Sequence, residues 1–337
     1  MNSKISGACT ALLMVGLTSP ASAEQSSWVS TGLTWTQDLA AQTALMQPLS
    51  DTTLQSRSGF ETAAGANWSR LNHRGGYSLG FQGLYDRGFD SDTDISEAGL
   101  SASTMRSLST QWLAKLTLYG ALYRNQAFRS SSYDALGTEA TLGYFGNNAN
   151  GLDLKLGWTD ENHNQDPNND YRTRRSYTEA IWYLPHSKNA LRWNLSTRFQ
   201  SNNANDPRFD YRSIQFKAGF KHWKIGNSLG AVSLQWQRDN YDNPMLFSSP
   251  QPGFNPQADR PNRMDQGNMA SQGIPASTPE QKKRKDTLYF ATLEISHALS
   301  KKWQLSLSAD AGRYQSDPRN TDRQFYDLAL TSTWVFN

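Results

Sequence analysis

The chain has 337 residues, with 33 basic against 30 acidic side chains, a formal net charge of +3 and a single cysteine. This near-neutral balance supplies no concentrated basic face for nucleic acid, and a mean hydropathy of −0.69 goes with the lack of any apolar run long enough for a transmembrane helix. Yet 12% of the residues are aromatic, with 14 Tyr, 14 Phe and 11 Trp, a share that suits a polar chain whose strands each turn one face to lipid.

In chain order, the first element is a leader. Lys4 gives a short positive region, "ACTALLMVGLT" is an apolar run too short to anchor in a bilayer, and "ASA" at 21–23 is a small-residue cleavage site. Residues 1–23 read as a secretory signal peptide and 24–337 as a single domain. The only cysteine, Cys9, falls in the signal, so the domain is expected to have no disulfide and no thiol chemistry.

Fourteen stretches of alternating apolarity follow, at 28–36, 60–69, 77–85, 95–102, 112–123, 135–145, 152–158, 176–184, 191–199, 213–223, 231–238, 287–297, 303–312 and 325–336. The connections between them alternate. Those at 37–59, 86–94, 124–134, 159–175, 200–212, 239–286 and 313–324 are mostly long, and those between, such as "GNNANG", "PHSKNA" and "ALSKK", are short. A secreted β-sandwich or propeller gives no reason for that alternation, whereas long external loops and short periplasmic turns are the rule in outer-membrane barrels. The expected fold is therefore all-β: an antiparallel transmembrane barrel of about fourteen strands in the bacterial outer membrane, both termini periplasmic.

The last strand, "QFYDLALTSTWVFN", sends Tyr326, Leu328, Leu330, Trp334 and Phe336 to lipid, with Trp334 and Phe336 in the periplasmic aromatic girdle. It resembles the closing signal by which such barrels are recognised by their assembly machinery, with Asn337 as a departure from a terminal Phe. That resemblance implies the barrel-assembly machinery as a partner.

The other register points into the lumen. It carries the cations Arg192, Arg198, Lys217 and Lys221 on the ninth and tenth strands and the anions Glu294, Asp310 and Asp327 on the last three, with Glu139, Asp153 and Glu179, and also Lys115 and Lys155, between. Two arrangements are open. The charges form salt-bridge ladders across neighbouring strands, or a basic wall and an acidic wall set up a transverse field that orients polar solutes. A fourteen-strand barrel has a backbone cylinder roughly 28 Å across, narrowed by side chains to about 15 Å, wide enough for small solutes or an extended polymer.

The connection 239–286 holds seven prolines and ends in "KKRK" at 282–285, just before the twelfth strand. Its proline density argues against regular structure, and it is either surface decoration or a lumen constriction. The basic run at the outer rim faces either solvent or the phosphates of lipopolysaccharide, a lipid partner alongside the other outer-membrane lipids. "DENHNQDPNND" at 160–170 offers Asp160, Glu161, Asp166 and Asp170 as oxygen ligands, but without calcium-loop spacing it reads as a hydrated turn. The five histidines, His73, His163, His186, His222 and His297, fall in turns, in a loop or near strand ends, and none shares a strand face with a serine in the bilayer. No catalytic residue, cofactor or metal is expected.

The final two hairpins, "RKDTLYFATLEISHALSKKWQLSLSADAGRYQSDPRNTDRQFYDLALTSTWVF", enter through a charged-Asp-x-x-Tyr segment, turn before Trp303 and place Arg323 ahead of the closing strand. These features resemble the carboxy-terminal barrels of the surface lipoprotein assembly modifiers, the Slam group, and related barrels of exopolysaccharide systems. The resemblance covers about the last fifty residues. It implies translocation or export of a surface lipoprotein, a protein or an exopolysaccharide. Slam proteins carry a periplasmic helical-repeat domain before the barrel; here the first strand starts five residues after the cleavage site, so export implies a separate periplasmic partner. A passive porin-like channel for small polar solutes and a structural or adhesive surface barrel using 37–59 and 239–286 are the other expectations.

Overall fold

The computed structural model describes residues 23–37, 57–72, 74–89, 94–126, 132–146, 150–163, 171–185, 192–225, 228–247, 280–317 and 321–336. They form fourteen strands: β1 (Ala23–Gln37), β2 (Arg57–Asn72), β3 (Gly75–Gly88), β4 (Ile95–Ser107), β5 (Trp112–Asn125), β6 (Tyr133–Phe145), β7 (Gly151–His163), β8 (Tyr171–Pro185), β9 (Arg192–Ala204), β10 (Tyr211–Ile225), β11 (Ser228–Phe247), β12 (Glu280–Ala298), β13 (Trp303–Asp317) and β14 (Thr321–Phe336). Each pairs antiparallel with its neighbours in the sequence, and β1 closes on β14, Val29 opposite Trp334 and Leu33 opposite Leu330. The fourth strand, whose only large aliphatics are Ile95 and Leu100 in the expected span, is held by continuous pairing on both sides.

Following one hydrogen-bonded row round the barrel returns it about 18 residues further along β1. For fourteen strands that stagger inclines the strands by about 44° and gives a cylinder about 27 Å across. The row therefore climbs through the membrane, and residues at one level on successive strands are displaced by a little more than one position.

Alternation sorts the side chains. On β13, Trp303, Leu305 and Leu307 are exposed on the outside, and Gln304, Ser306 and Ser308 face in. On β14, Tyr326, Leu328, Leu330, Trp334 and Phe336 are all exposed outward, as the alternation requires. Two aromatic girdles bound the apolar band. The lower contains the ring pairs Trp68–Tyr77, Trp112–Tyr144, Trp193–Phe220 and Trp303–Trp334, with centroids 4.7–5.2 Å apart. The upper contains Phe216 stacked on Trp236 at 5.6 Å. Among the described residues, charged side chains on the outward register occur only at the two ends. Arg70 and Arg106 lie at the turn end and the rest at the long-connection end, leaving an uncharged band roughly 25 Å tall. That band, closed and girdled, makes the chain a transmembrane barrel of the outer-membrane type, with its short turns, the start of β1 and the end of β14 on the periplasmic side.

The strands run 13–20 residues, longer than the expected ten or so, because backbone pairing continues past the lipid where apolar alternation stops. This corrects three sequence readings. The connection expected at 239–286 is strand at both ends: β11 reaches Phe247, with Pro244 taken up at a register shift, and β12 starts at Glu280. "KKRK" lies within β12, so its residues alternate between faces. Asp160, Glu161 and His163 belong to β7, and Asp160 and Glu161 point to opposite faces, which separates them as ligands of one ion. Asp166, Asp170, His73 and His186 lie outside the described residues.

The register predicts unequal costs for neighbouring substitutions. Leu307→Arg places a cation in the lipid midplane at roughly 2–4 kcal/mol, while Ser306→Arg places it in the lumen. Heat-modifiability on gels should be lost for the first and kept for the second.

Candidate functional site

The lumen is the concave surface of this fold, and its chemistry differs around the circumference. From β6 to β9 it is a hydrogen-bonded ladder. Lys155 Nζ lies 3.6 Å from Glu139, Tyr177 donates its hydroxyl to the same carboxylate, and Thr141 joins it at 3.3 Å. Arg198 donates to Glu179 at 2.7 Å, and its guanidinium sits 4.3 Å from the centre of the Tyr177 ring. Tyr183 donates to Asp153 at 2.9 Å. Tyr119 and Tyr177 lie flat against the wall because the cross-strand positions Gly137 and Gly157 leave room: an added Cβ would come within 2.4 and 2.2 Å of their rings.

The expected basic wall is thus divided. Arg198 is neutralised by Glu179. Arg192 occupies the inward register of β9 opposite Lys221. Lys217 and Lys221 face inward and, among the described residues, form no ion pair. The expected acidic residues Glu294, Asp310 and Asp327 also take the inward register, Asp310 beside Asp327 across β13 and β14. The two sets do not face each other across the pore. Only β11 separates Lys217 and Lys221 from Glu294, and the strand opposite β10 in a ring of fourteen is β3. Nor are the last three strands wholly acidic, since β12 adds the inward Arg284. The transverse field between facing walls is replaced by a local dipole along one side.

At the outer end the lumen changes character. Inward side chains there are buried on nearly every strand: Thr36, Asp86, Asn125, Tyr133, Glu161, His163, Asn202, Leu288, Tyr314 and Phe325 are each 5% exposed or less. Arg284, 1% exposed, donates to Asp286 at 2.5 and 2.8 Å and to the Tyr314 hydroxyl at 2.5 Å, and stacks 4.6 Å from the Tyr241 ring. Tyr314 and Ser316 donate in turn to Asp286 at 2.7 and 2.6 Å. Leu288, Tyr314 and Phe325 form an apolar cluster beside it, with Phe290 packed on them. A second network joins His163, Glu161 and Arg175, the last donating to Glu161 at 2.6 Å. Asp327 accepts from Thr36 at 3.0 Å at the β1–β14 seam. Sequence reading placed His163 and "KKRK" in loops and missed both networks. Parity carries the signal, for Arg284, Asp286, Leu288 and Phe290 share one register.

One expectation about histidine is also corrected. His297 and Ser228 are cross-strand partners at the periplasmic end, with Nδ1 and Oγ 2.9 Å apart. No carboxylate contacts His297 among the described residues, so the pair lacks the orienting acid of a hydrolytic triad. No cluster of three or more metal-ligating side chains occurs among the described residues either.

No protein-family model and no curated protein matches the chain, so the likeness of the last hairpins to the Slam group has no family match behind it. Solved structures of outer-membrane proteins align with the chain at TM-scores below 0.5. An anion-selective porin from Comamonas acidovorans aligns with a TM-score of 0.48 and 10% identity, over 94% of this chain and 100% of that one. A loop-deletion mutant of OmpT, an outer membrane protein of Vibrio cholerae, aligns at 0.47 and 6%, over 94% and 100%. OprB of Pseudomonas putida aligns at 0.45 and 9%, over 98% and 97%. By its own closed ring of fourteen strands and apolar outer band, the chain is an outer-membrane β-barrel with a polar lumen.

The divided wall can be read out by stability. Arg198→Gln strands Glu179, whose side chain is only 9% exposed. It should destabilise the barrel by about 1–2 kcal/mol, allowing for lumen water. Lys217→Gln strands no partner and should leave the unfolding temperature on heated gels unchanged.

Proposed function

We propose that the barrel is an export channel of the outer membrane, loaded from the periplasm, for an extended hydrophilic polymer of the exopolysaccharide class. The observation that carries this reading is the one-sidedness of the lumen. Inward groups near the periplasmic mouth, such as Asn67 and Phe145, are exposed, whereas most inward side chains at the outer end are buried. A polymer therefore has a path in from the cell side, and its exit depends on opening the outer ring.

The walls suit such a polymer. Tyr183, Tyr119 and Tyr123 rise from the periplasmic mouth toward the buried Tyr133, all inward and the first three partly exposed. Tyrosine offers an apolar face and a polar edge, the two features a sugar ring presents. The hydroxyls of Tyr183 and Tyr119 are tied to Asp153 and Thr159, which holds the rings in place. The width of about 15 Å admits an extended chain and excludes a folded protein. On this reading a surface lipoprotein would cross only unfolded, and the polysaccharide is the better fit.

A passive diffusion channel for small polar solutes is the second reading, favoured by Lys217 and Lys221, which form no ion pair among the described residues and lie near Glu294 on one wall. Single-channel recording separates the two. Export predicts a low, intermittent conductance for the natural chain and a large steady one when Leu288, Tyr314 and Phe325 are all replaced by Ala. A linear polysaccharide added on the periplasmic side should then block the opened variant. Wide, steady conductance from the unaltered barrel would establish the diffusion channel instead.

A further inference from the structure

The outward register carries a feature that the lumen does not explain. Arg87, Arg124, Arg174, Arg212, Arg238 and Arg313 sit on β3, β5, β8, β10, β11 and β13, all facing away from the lumen. With the strand inclination included, all six fall within about one residue rise of a single level, immediately above the upper aromatic girdle. An uncharged belt lies below them. This level is where the hydrocarbon of the outer leaflet gives way to headgroups.

From β5 to β8 the collar is internally balanced. Arg124 pairs with Asp134 at 2.6 Å, and Asp160 accepts from Arg172, through Nε at 2.6 Å, with Arg174 at 3.9 Å. The sector β10–β13 is not. Arg212 reaches Asp242 at 3.7 Å, and Arg313 holds Asp322 through Nε at 2.8 Å. Arg238, Lys283 and Lys285 stand on the same outer face, exposed, and form no ion pair among the described residues. Asp317 is directly opposite Lys285 in the register without forming an ion pair with it. Cations on adjacent strands repel one another, so this sector is complementary to an anion.

A second observation lies directly beneath. The lipid face of the same strands is indented by a groove of about 770 Å³. Its floor is Ala291 and Ala311, with Ala218 on the far side of the projecting Leu234, its sides include Phe216, Trp236 and Tyr289, and Arg313 stands at its upper edge. Small residues on β10, β12 and β13 make the dent, and the girdle aromatics wall it. It is apolar, it opens to hydrocarbon, and it ends at the basic sector.

We propose that this sector is a binding site for a phosphorylated glycolipid of the outer leaflet, with phosphate on Arg238, Lys283 and Lys285 and acyl chain in the groove. The two halves match the two halves of such a lipid. Guanidinium and ammonium groups donate charge-assisted hydrogen bonds to phosphate oxygens, and a dry, alanine-floored dent gains by packing against methylenes. The site is independent of what the lumen carries.

The test uses the full barrel in nanodiscs and follows its unfolding on heated gels together with lipid retention by native mass spectrometry. The probes are diphosphorylated lipid A, its dephosphorylated form and inorganic phosphate. Diphosphorylated lipid A should be retained and should raise the unfolding temperature, the dephosphorylated lipid should do so weakly, and inorganic phosphate should do neither. The triple variant Arg238→Gln, Lys283→Gln, Lys285→Gln should bind the diphosphorylated lipid at least about tenfold more weakly and lose the shift. Ala291→Trp should weaken both lipids by filling the groove. Arg87→Gln, on the far side of the collar, should change nothing. Equal retention of the two lipids, a phosphate effect equal to that of the lipid, or full retention by the triple variant would each overturn the site.

Discussion

Every peptide group that crosses hydrocarbon must find its hydrogen-bond partner inside the protein, because lipid offers none. In this chain the requirement is completed by one seam, the pairing of β1 with β14. Until that seam forms, two long edges remain open in the membrane. Once it forms with its particular stagger, the inclination of all the strands, the width of the cylinder and the face of every side chain follow. The seam is accordingly well made. Eleven residue pairs run along it from Ser27–Phe336 to Gln37–Tyr326, and on its inner side the Thr36 hydroxyl donates to Asp327.

The same stagger explains why residues far apart in sequence act at one level. A hydrogen-bonded row climbs as it passes round the barrel, so an apolar belt parallel to the membrane must drift by about a residue per strand. The outward charges obey that drift, from Arg87 on β3 to Arg313 on β13. The buried inward ring obeys it too, from Tyr133 on β6 to Phe325 on β14. Inside, where water screens the middle of the lumen and burial rises toward the outside, the polar groups become more fully partnered with height. Lys217 forms no ion pair among the described residues, Arg198 has one partner and a ring, and Arg284 is enclosed by a carboxylate, a phenol hydroxyl and one aromatic face. That gradient is what desolvation requires, since a buried charge is tolerable only when it is paired and hydrogen-bonded.

Most of the barrel was legible because lipid imposes a period of two and loop lengths reveal which end is which. The alternation in "LSLSADAG" or "TLYFATLEIS" leaves one choice of face, and the structure keeps it. What was not legible lies where the apolar signal ends. Asp160–His163 and Lys282–Asp286 are polar throughout, so composition suggested loops, yet their backbones stay paired and their side chains keep alternating. Composition reports the environment of a residue, and here strands leave the lipid without leaving the sheet. The relation between the two charged walls was hidden for a different reason. Strand number says which residues are neighbours, but which walls face each other depends on counting half-way round a closed ring, and β10 turns out to lie one strand from β12, on the same side of the ring rather than opposite it.

The run "KKRKD" shows how much one strand end can carry. Lys283 and Lys285 turn out toward the headgroup level, and Arg284 and Asp286, between and after them, turn in and are buried. A loop with the same composition would mix these roles, since nothing would hold successive side chains apart. Extending β12 beyond the membrane by pairing Lys283 with Pro244 and Lys285 with Asn240 and Asp317 separates them by the thickness of the sheet. The inward pair then helps close the outer end of the lumen, while the outward pair meets whatever surrounds the barrel. Opening the outer ring through movement of β12 would therefore also move the cations on its other face. The buried polar network at the outer end of the lumen and the exposed cations of the rim are thus built on the two faces of a single strand.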